Sequence, residues 1–441
     1  MRRVRKHLWQ VAWLLFGVAS CGKSPGDVSL SRNEDDDAPL VPVPAEDGPF
    51  LASTAHATPI RKSPERGAKI TGYLHAGARV ARAAEAFGRD DCEGGWYPVR
   101  PEGFVCLDEG ATLDLEHPTL AAMAIQPLLD APMPYTYART KANTDLFEVD
   151  SEHEGRVRTA GKISSQSGLA VVGSWQATDS AGNQRSLAMM TNGWFVDTAE
   201  IERAKHSDFQ GLTLDDKTQL PVAFVVKRGV AAWGLGNAGA ERKDELEYQQ
   251  KLPLSGRFRT VGDDEYWEVG EDIWVRHQDV TLVRLRESFP GFATSGRRWL
   301  DISISTGTLV AYEGRRPVFT TLVSIGKDRL GEGLLDPLAT TRGELRVVAK
   351  HVTALNANVE GFANRVDMYD TPWTLELSSG QFIHGAYWHS RFGIEHGPGN
   401  IQLAPADARH VWLWSTPNVP EGWHALVDIQ DAEATIVNVR K

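Results

Sequence analysis

His384-Gly385-Ala386-Tyr387-Trp388-His389, followed shortly by Phe392-Gly393-Ile394-Glu395-His396-Gly397-Pro398-Gly399-Asn400, is the stretch on which the reading of this 441-residue chain turns. Histidines supply bases and metal ligands near neutral pH. Glycines let a backbone turn tightly and approach a ligand, so Gly385 and Gly399 read as backbone positions. His384, His389 and His396 could suggest a metal site. Zinc, however, needs three or four converging ligands whose outer hydrogen bonds are also satisfied, so a metal is not the favoured reading, and no metal or cofactor is expected. The stretch holds no thiol. The Asn400 carboxamide is no nucleophile at neutral pH, and Pro398 neither ionises nor donates a hydrogen bond.

These residues resemble the YkuD-type L,D-transpeptidases, bacterial enzymes that remodel peptidoglycan. The family pattern runs H-G-x-Y-W-H, then F-G-x-P-x-S-H-G-C, then P-x-D-A. The chain follows it without a gap through Pro405-Ala406-Asp407-Ala408. On that register the nucleophilic cysteine falls at Asn400, the preceding serine and histidine fall at Gly397 and Pro398, and the glycine stays as Gly399. The resemblance implies that His384 is the retained catalytic-site histidine facing the substrate cleft. It also implies that Gly385, Tyr387, Trp388 and His389 line the cleft, and that backbone N–H groups around Gly399 form the oxyanion region. Acyl transfer in the family needs a thiolate. The resemblance together with the missing thiol therefore predicts a catalytically inactive homologue, a pseudoenzyme that binds peptidoglycan stem peptides or a cell-wall enzyme. Two other readings stay open. One is an active acyl transferase with a non-cysteine nucleophile, for which Ser390 and His396 are the nearby candidates; the other is an envelope scaffold protein.

The resemblance covers residues 297–430 and implies a β-sandwich. Trp299-Leu300-Asp301-Ile302-Ser303-Ile304-Ser305 alternates at period two, as a half-buried strand does. Thr308 to Glu313 and Pro317 to Ser324 resemble the family's next strands, and Thr341 to Val347 its T-P-x-G-x-F-x-I segment with Arg342 in the proline slot. A short helix is expected near Pro405 to Trp414, with Asp407 in its first turn.

Upstream, residues 50–290 hold short β-type runs bounded by Gly, Pro and Asp, so the expected fold class is mostly β. Gly95-Trp96-Tyr97-Pro98-Val99 with Gly103-Phe104-Val105-Cys106 looks like a bacterial SH3-like small-barrel module over residues 50–115. Weaker echoes at Gly193-Trp194-Phe195-Val196 and at Tyr266-Trp267-Glu268-Val269 with Ile273-Trp274-Val275 suggest further such modules within residues 116–290. Aromatics alternating with valine at strand period read first as core packing and only second as a ligand groove.

The net charge of −11 argues against a nucleic-acid partner. Residues 1–21 read as an export signal: Arg2, Arg3, Arg5 and Lys6 precede a short apolar core, Val11 to Ala19, too brief to span a bilayer. Val18-Ala19-Ser20-Cys21 resembles a lipoprotein lipobox, which makes Cys21 the lipid anchor; an ordinary signal peptide is the alternative. Residues 22–49, with Glu34-Asp35-Asp36-Asp37 and then Pro39, Pro42, Pro44 and Pro49, read as an extended tether. The implied place is the cell envelope, lipid-anchored on the periplasmic side, at the outer membrane if the cell is Gram-negative. Cys92 and Cys106 remain, and an even pair in an exported protein reads as a disulfide, with two buried thiols as the alternative. Cys21→Ala is expected to release the protein from membranes or block its processing; fractionation that finds membrane association and the mature N-terminus unchanged would refute this.

Overall fold

Three segments upstream of residue 290 repeat one connectivity. In the first, strand Phe50–Ser53 pairs antiparallel with both Arg79–Ala81 and Ala111–Thr112. In the second, Thr136–Thr140 pairs with Gly168–Asp179 and Ile201–Arg203, and in the third Val222–Val225 pairs with Lys251–Pro253 and Val280–Val283. Each last strand follows a single 3-10 turn: Leu107–Glu109, Thr198–Glu200 and His277–Asp279. The strand before that turn is Phe104–Cys106, Phe195–Asp197 or Ile273–Arg276, so the three aromatic-and-valine sets of the sequence stand at equivalent places. Trp96, Val105, Val196, Trp274 and Val275 are all buried, and these aromatics pack cores rather than line a surface groove. Cys92 and Cys106 are disulfide-bonded in the first unit, packed against Trp96 and Phe104.

The structure is a computed structural model that describes residues 41–123, 125–326, 339–355, 370–397 and 399–441. The export signal with Cys21, most of the expected tether, and Pro398 lie outside the described residues. The end of the tether region is docked: Arg100 donates to the Pro44 carbonyl at 2.9 Å and pairs with Glu46 at 2.7 Å.

The C-terminal domain is a sandwich of two sheets that share one long strand, Gly343–Leu355. In the first sheet, Arg316–Leu322, Thr308–Glu313 and Arg298–Ser303 run antiparallel, and Ile436–Arg440 joins Arg298–Ser303 in parallel and the long strand antiparallel. This last strand lies beyond residue 430, where the family resemblance ends. In the second sheet the long strand pairs with Asp370–Leu377, which pairs with Phe382–Gly385, which runs parallel to Ile401–Leu403. Helix Pro405–Trp414 follows, with proline in its first turn and Ala408, Val411 and Trp412 in the core between the sheets. Asp407 sits in that first turn, and the architecture is mostly β as expected.

Strand Arg298–Ser303 is buried on both faces. Leu300 and Ile302 enter the core of the sandwich, while Trp299 stacks on Tyr312 with centroids 4.4 Å apart, facing Val222 and Phe224 of the third unit. The first unit is fused more tightly still. Strand Ala425–Leu426 pairs on one side with Ile70–Leu74 and on the other with Gly343–Leu355, so one sheet runs from the first unit into the C-terminal domain. Next to it Trp423 fills the core of the first unit and donates its indole N–H to the Arg100 carbonyl at 2.9 Å. Gly72 permits this, since a Cβ there would stand 2.3 Å from the indole ring. Trp423→Ala is expected to cost about 3–5 kcal/mol, read by urea denaturation, and to loosen the first unit before the rest; unchanged midpoints by probes in both parts would disprove the plug.

Candidate functional site

The motif forms one loop slung between two neighbouring strands. Phe382–Gly385 and Ile401–Leu403 run parallel with His384 opposite Gln402, and the chain leaves the first strand at Ala386 and returns at Asn400. The Ala386 N–H donates to the Leu403 carbonyl at 2.9 Å, and Gln402 exchanges backbone hydrogen bonds with Ser324, both 2.8 Å. Both ends of the loop are thereby fixed.

The second and third upstream units each touch this loop or the strand beneath it. Tyr387 is fully buried, its hydroxyl donating to the Asp370 carbonyl at 3.1 Å and its ring 4.6 Å from Tyr137 of the second unit. The Asp370 carboxylate in turn accepts from Thr191 Oγ1 at 2.7 Å and from the Ala170 N–H at 3.1 Å. Burial pushes that carboxyl up to about 7, against the opposing pull of both donors. From the third unit and its connection, Phe209, Val222 and Phe224 pack around Phe392, and Gln249 Nε2 donates to the Ser390 carbonyl at 3.0 Å. Asp407 ties the same connection to the helix: its carboxylate accepts from the Gly211 N–H at 2.8 Å and from the Thr321 hydroxyl, and burial lifts it to about 6.

The histidines are neutral. His389 hydrogen-bonds through Nε2 to Gln402 Oε1 at 2.7 Å, while Nδ1 accepts from the Arg391 N–H at 3.2 Å. Only the tautomer protonated at Nε2 fits both bonds, and a second proton would break one of them. Burial and the nearby His396, stacked at 4.0 Å, push His389 down to about 3. His384 has no solvent exposure. Its Nδ1 meets the Gly385 carbonyl at 3.2 Å, and its Nε2 finds no partner among the described residues, beside the partly exposed Trp388 ring at 5.5 Å. Burial holds it down at about 4.

Asn400 is 5 % exposed, and its Oδ1 accepts the Phe382 N–H at 3.0 Å, which secures the start of the histidine strand. Gly399 stands so near Gln381 that a Cβ would lie 2.4 Å from its amide nitrogen. Gly397, in the slot of the family's serine, has φ +88°, and a Cβ there would stand 2.8 Å from Gln402 Nε2. A serine would have to hold a left-handed backbone at a cost of about 1–2 kcal/mol. The structure thus brings His384, Gly385, Tyr387, Trp388, His389, Gly399 and Asn400 together in one place, and leaves Cys92 and Cys106 bonded to each other in the first unit. Gln402, Asp370 and Tyr137 also build the site. Nothing in their local sequence marks them, because their partners come from other parts of the chain.

Among the described residues, one group has ligand atoms close enough to hold a metal ion, Cys92, Cys106 and Asp108, and its sulfurs are consumed by the disulfide. The three motif histidines do not converge in that way.

No protein-family model matches the chain, and no curated protein does. Solved structures do. An L,D-transpeptidase fragment from Xylanimonas cellulosilytica is 19% identical over 35% of this chain and 65% of that one, with a TM-score of 0.25. An Enterococcus faecium L,D-transpeptidase mutant is 16% identical over 33% and 50%, with a TM-score of 0.24. The Mycobacterium smegmatis L,D-transpeptidase is 14% identical over 53% and 100%, with a TM-score of 0.26. The chain spans less than two thirds of the length of the first two.

Both imidazoles titrate below the unfolded value near 6.5, so the stability they carry is full above pH 6.5 and is lost as pH falls through the folded values, about 4 for His384 and about 3 for His389. For His384 the loss amounts to roughly 3 kcal/mol. The imidazole resonances of both residues should remain those of neutral rings at pH 5; a His384 midpoint near 6.5 by NMR would contradict its burial.

Proposed function

We propose that this protein is an envelope lipoprotein of the L,D-transpeptidase kind, anchored through Cys21, that binds peptidoglycan stem peptides or a cell-wall enzyme without performing acyl transfer. The observation that carries the reading is the pairing of Asn400 with Phe382. The position where the family pattern has its thiol holds a carboxamide whose oxygen is already engaged by a backbone N–H, so the residue serves the strand instead of attacking a carbonyl. His384 supports the binding half of the reading. Its neutral ring keeps an Nε2 lone pair without a partner among the described residues; the ring has no solvent exposure, so a peptide N–H reaches that acceptor only if the partly exposed Trp388 beside it turns aside. A neutral acceptor recognises an amide; without a thiol beside it there is no proton for it to take.

The repeated upstream units fit this reading as SH3-like modules that brace the binding loop. Tyr137 backs Tyr387, and the third unit surrounds Phe392. The periplasmic side of the envelope is the compartment consistent with the disulfide and with the lipobox resemblance.

With disaccharide-tetrapeptide or a carbapenem, the chain is expected to keep its intact mass and yield no products. Asn400→Cys should restore little alone, since it frees the Phe382 N–H and Pro398 still withholds an imidazole. Pro398→His added to Asn400→Cys is the better combination, and the left-handed backbone at 397 argues against adding Gly397→Ser. His384→Ala should weaken stem-peptide binding by about 1 kcal/mol. A covalent adduct on the native chain that disappears in Ser390→Ala or His396→Ala would establish acyl transfer through another nucleophile instead.

A further inference from the structure

A second polar groove, of about 630 Å³, lies between the end of the third unit and the outer face of the first sheet of the sandwich. Its floor is a charge triad. Asp301, with 1 % of its side chain exposed, accepts from Arg286 Nη1, from Arg440 Nε at 3.0 Å and from Asn438 Nδ2 at 2.8 Å. Two guanidiniums, Arg286 partly exposed and Arg440 exposed, share the one buried carboxylate, so the cluster keeps a net positive charge. Arg284, exposed on the rim and lying over the Trp267 ring at 4.6 Å, adds a third guanidinium; Glu287 is the other acidic group of the lining. Three cations against two anions is the reverse of the balance of a chain with net charge −11. The remaining wall carries hydroxyls, among them Ser303, Ser305 and Thr306, along with His277 and aliphatic side chains such as Leu285.

The groove ends next to the motif loop. Gly307, between Thr306 and Thr308 of the lining, packs so closely on the loop that a Cβ there would stand 2.6 Å from the Gly393 carbonyl carbon. A ligand long enough to follow the wall from Arg284 past Ser305 would therefore arrive at the outer side of the loop that holds His389 and His396.

The geometry points to this groove as a binding track for a carboxylate-bearing glycan-peptide polymer, with Arg284 and the charge triad holding the carboxylates and the hydroxyl wall holding sugar or peptide polar groups. Guanidinium forks match carboxylates in two parallel hydrogen bonds, and hydroxyls both donate to and accept from a polyhydroxylated chain. The assignment rests on the cell-wall reading above and extends it by naming a second contact surface outside the histidine loop. Arg286 and Arg440 already spend donors on Asp301, so they supply mainly field, and Arg284, at the exposed rim over the Trp267 ring, is the side chain placed to close on the ligand.

The test is co-sedimentation of the full chain with intact peptidoglycan sacculi, with sacculi whose carboxylates have been amidated, and with phosphatidylcholine vesicles with and without phosphatidylglycerol. Ser305 and Arg284 are exposed, so Ser305→Glu and Arg284→Gln are expected to fold normally, with thermal unfolding as the control. The expected result is binding to native sacculi that falls by about tenfold on amidation and by about tenfold in each variant, with Arg284→Lys retaining most of it. Equal binding to native and amidated sacculi, or variants that bind like the parent, would overturn the assignment. A preference for the anionic vesicles that vanishes in Ser305→Glu would overturn it as well, giving the groove to a phosphate headgroup. If the parent binds sacculi and His384→Ala weakens it while Ser305→Glu does not, the groove alone fails. If the parent does not bind sacculi at all, the cell-wall reading fails with it.

Discussion

Strand Gly343–Leu355 hydrogen-bonds along one edge to Asp370–Leu377 and along the other to two successive partners, Ile436–Arg440 and then Ala425–Leu426. The change of partner, with a register shift between Val347 and Ala349, lets one strand belong to two sheets. Between those sheets Leu300, Ile302, Val347, Trp373 and Trp412 form the largest described core, and burial of that apolar area is the dominant favourable term. Because the second partner also pairs with Ile70–Leu74, the same strand commits the first unit to the sandwich. The position of the histidine strand, two strands away through Asp370–Leu377, is set by this arrangement.

The loop that carries the histidines is held from behind by buried carboxyls rather than by apolar packing alone. Asp370 bridges the second unit to the C-terminal domain with two hydrogen bonds, and Asp407 ties the Gly211 connection to it with one while accepting a second from Thr321 of the sandwich. Removing a carboxyl from water is costly, and raised proton affinity in both groups reports that cost. Apolar contact would glue the units in many registers, whereas a carboxylate between specified N–H and O–H donors accepts few. The upstream units are in this sense part of the site's walls.

Asn400 and Gly397 each have a local role in holding the loop. A cysteine sulfur is a weak acceptor, while the Asn400 carboxamide binds the Phe382 N–H at ordinary length. At Gly397 the backbone has entered a region that side chains avoid. At both positions the backbone and its hydrogen bonds, rather than a reactive side chain, set the local structure of the loop.

Much of this was legible in the sequence, because it follows from local patterns. Period-two alternation gave the strand near Trp299, the family resemblance gave the strand at Thr308 and the helix at Pro405, and the motif placed His384 and Asn400 together before any coordinates. The aromatic-and-valine sets of the three upstream units were visible too, though not the shared connectivity that makes them equivalent. Other features were decided only by the tertiary structure. Trp423 belongs to the core of a unit more than 300 residues earlier in the chain, as its bond to Arg100 at a separation of 323 residues shows. Tyr137 reaches Thr353 across 216 residues, and Asp370 reaches Ala170 across 200. A residue's local pattern records only which face it turns inward; which distant segment meets that face depends on the packing of whole sheets, and hydrogen bonds across such separations leave no periodic trace in the chain.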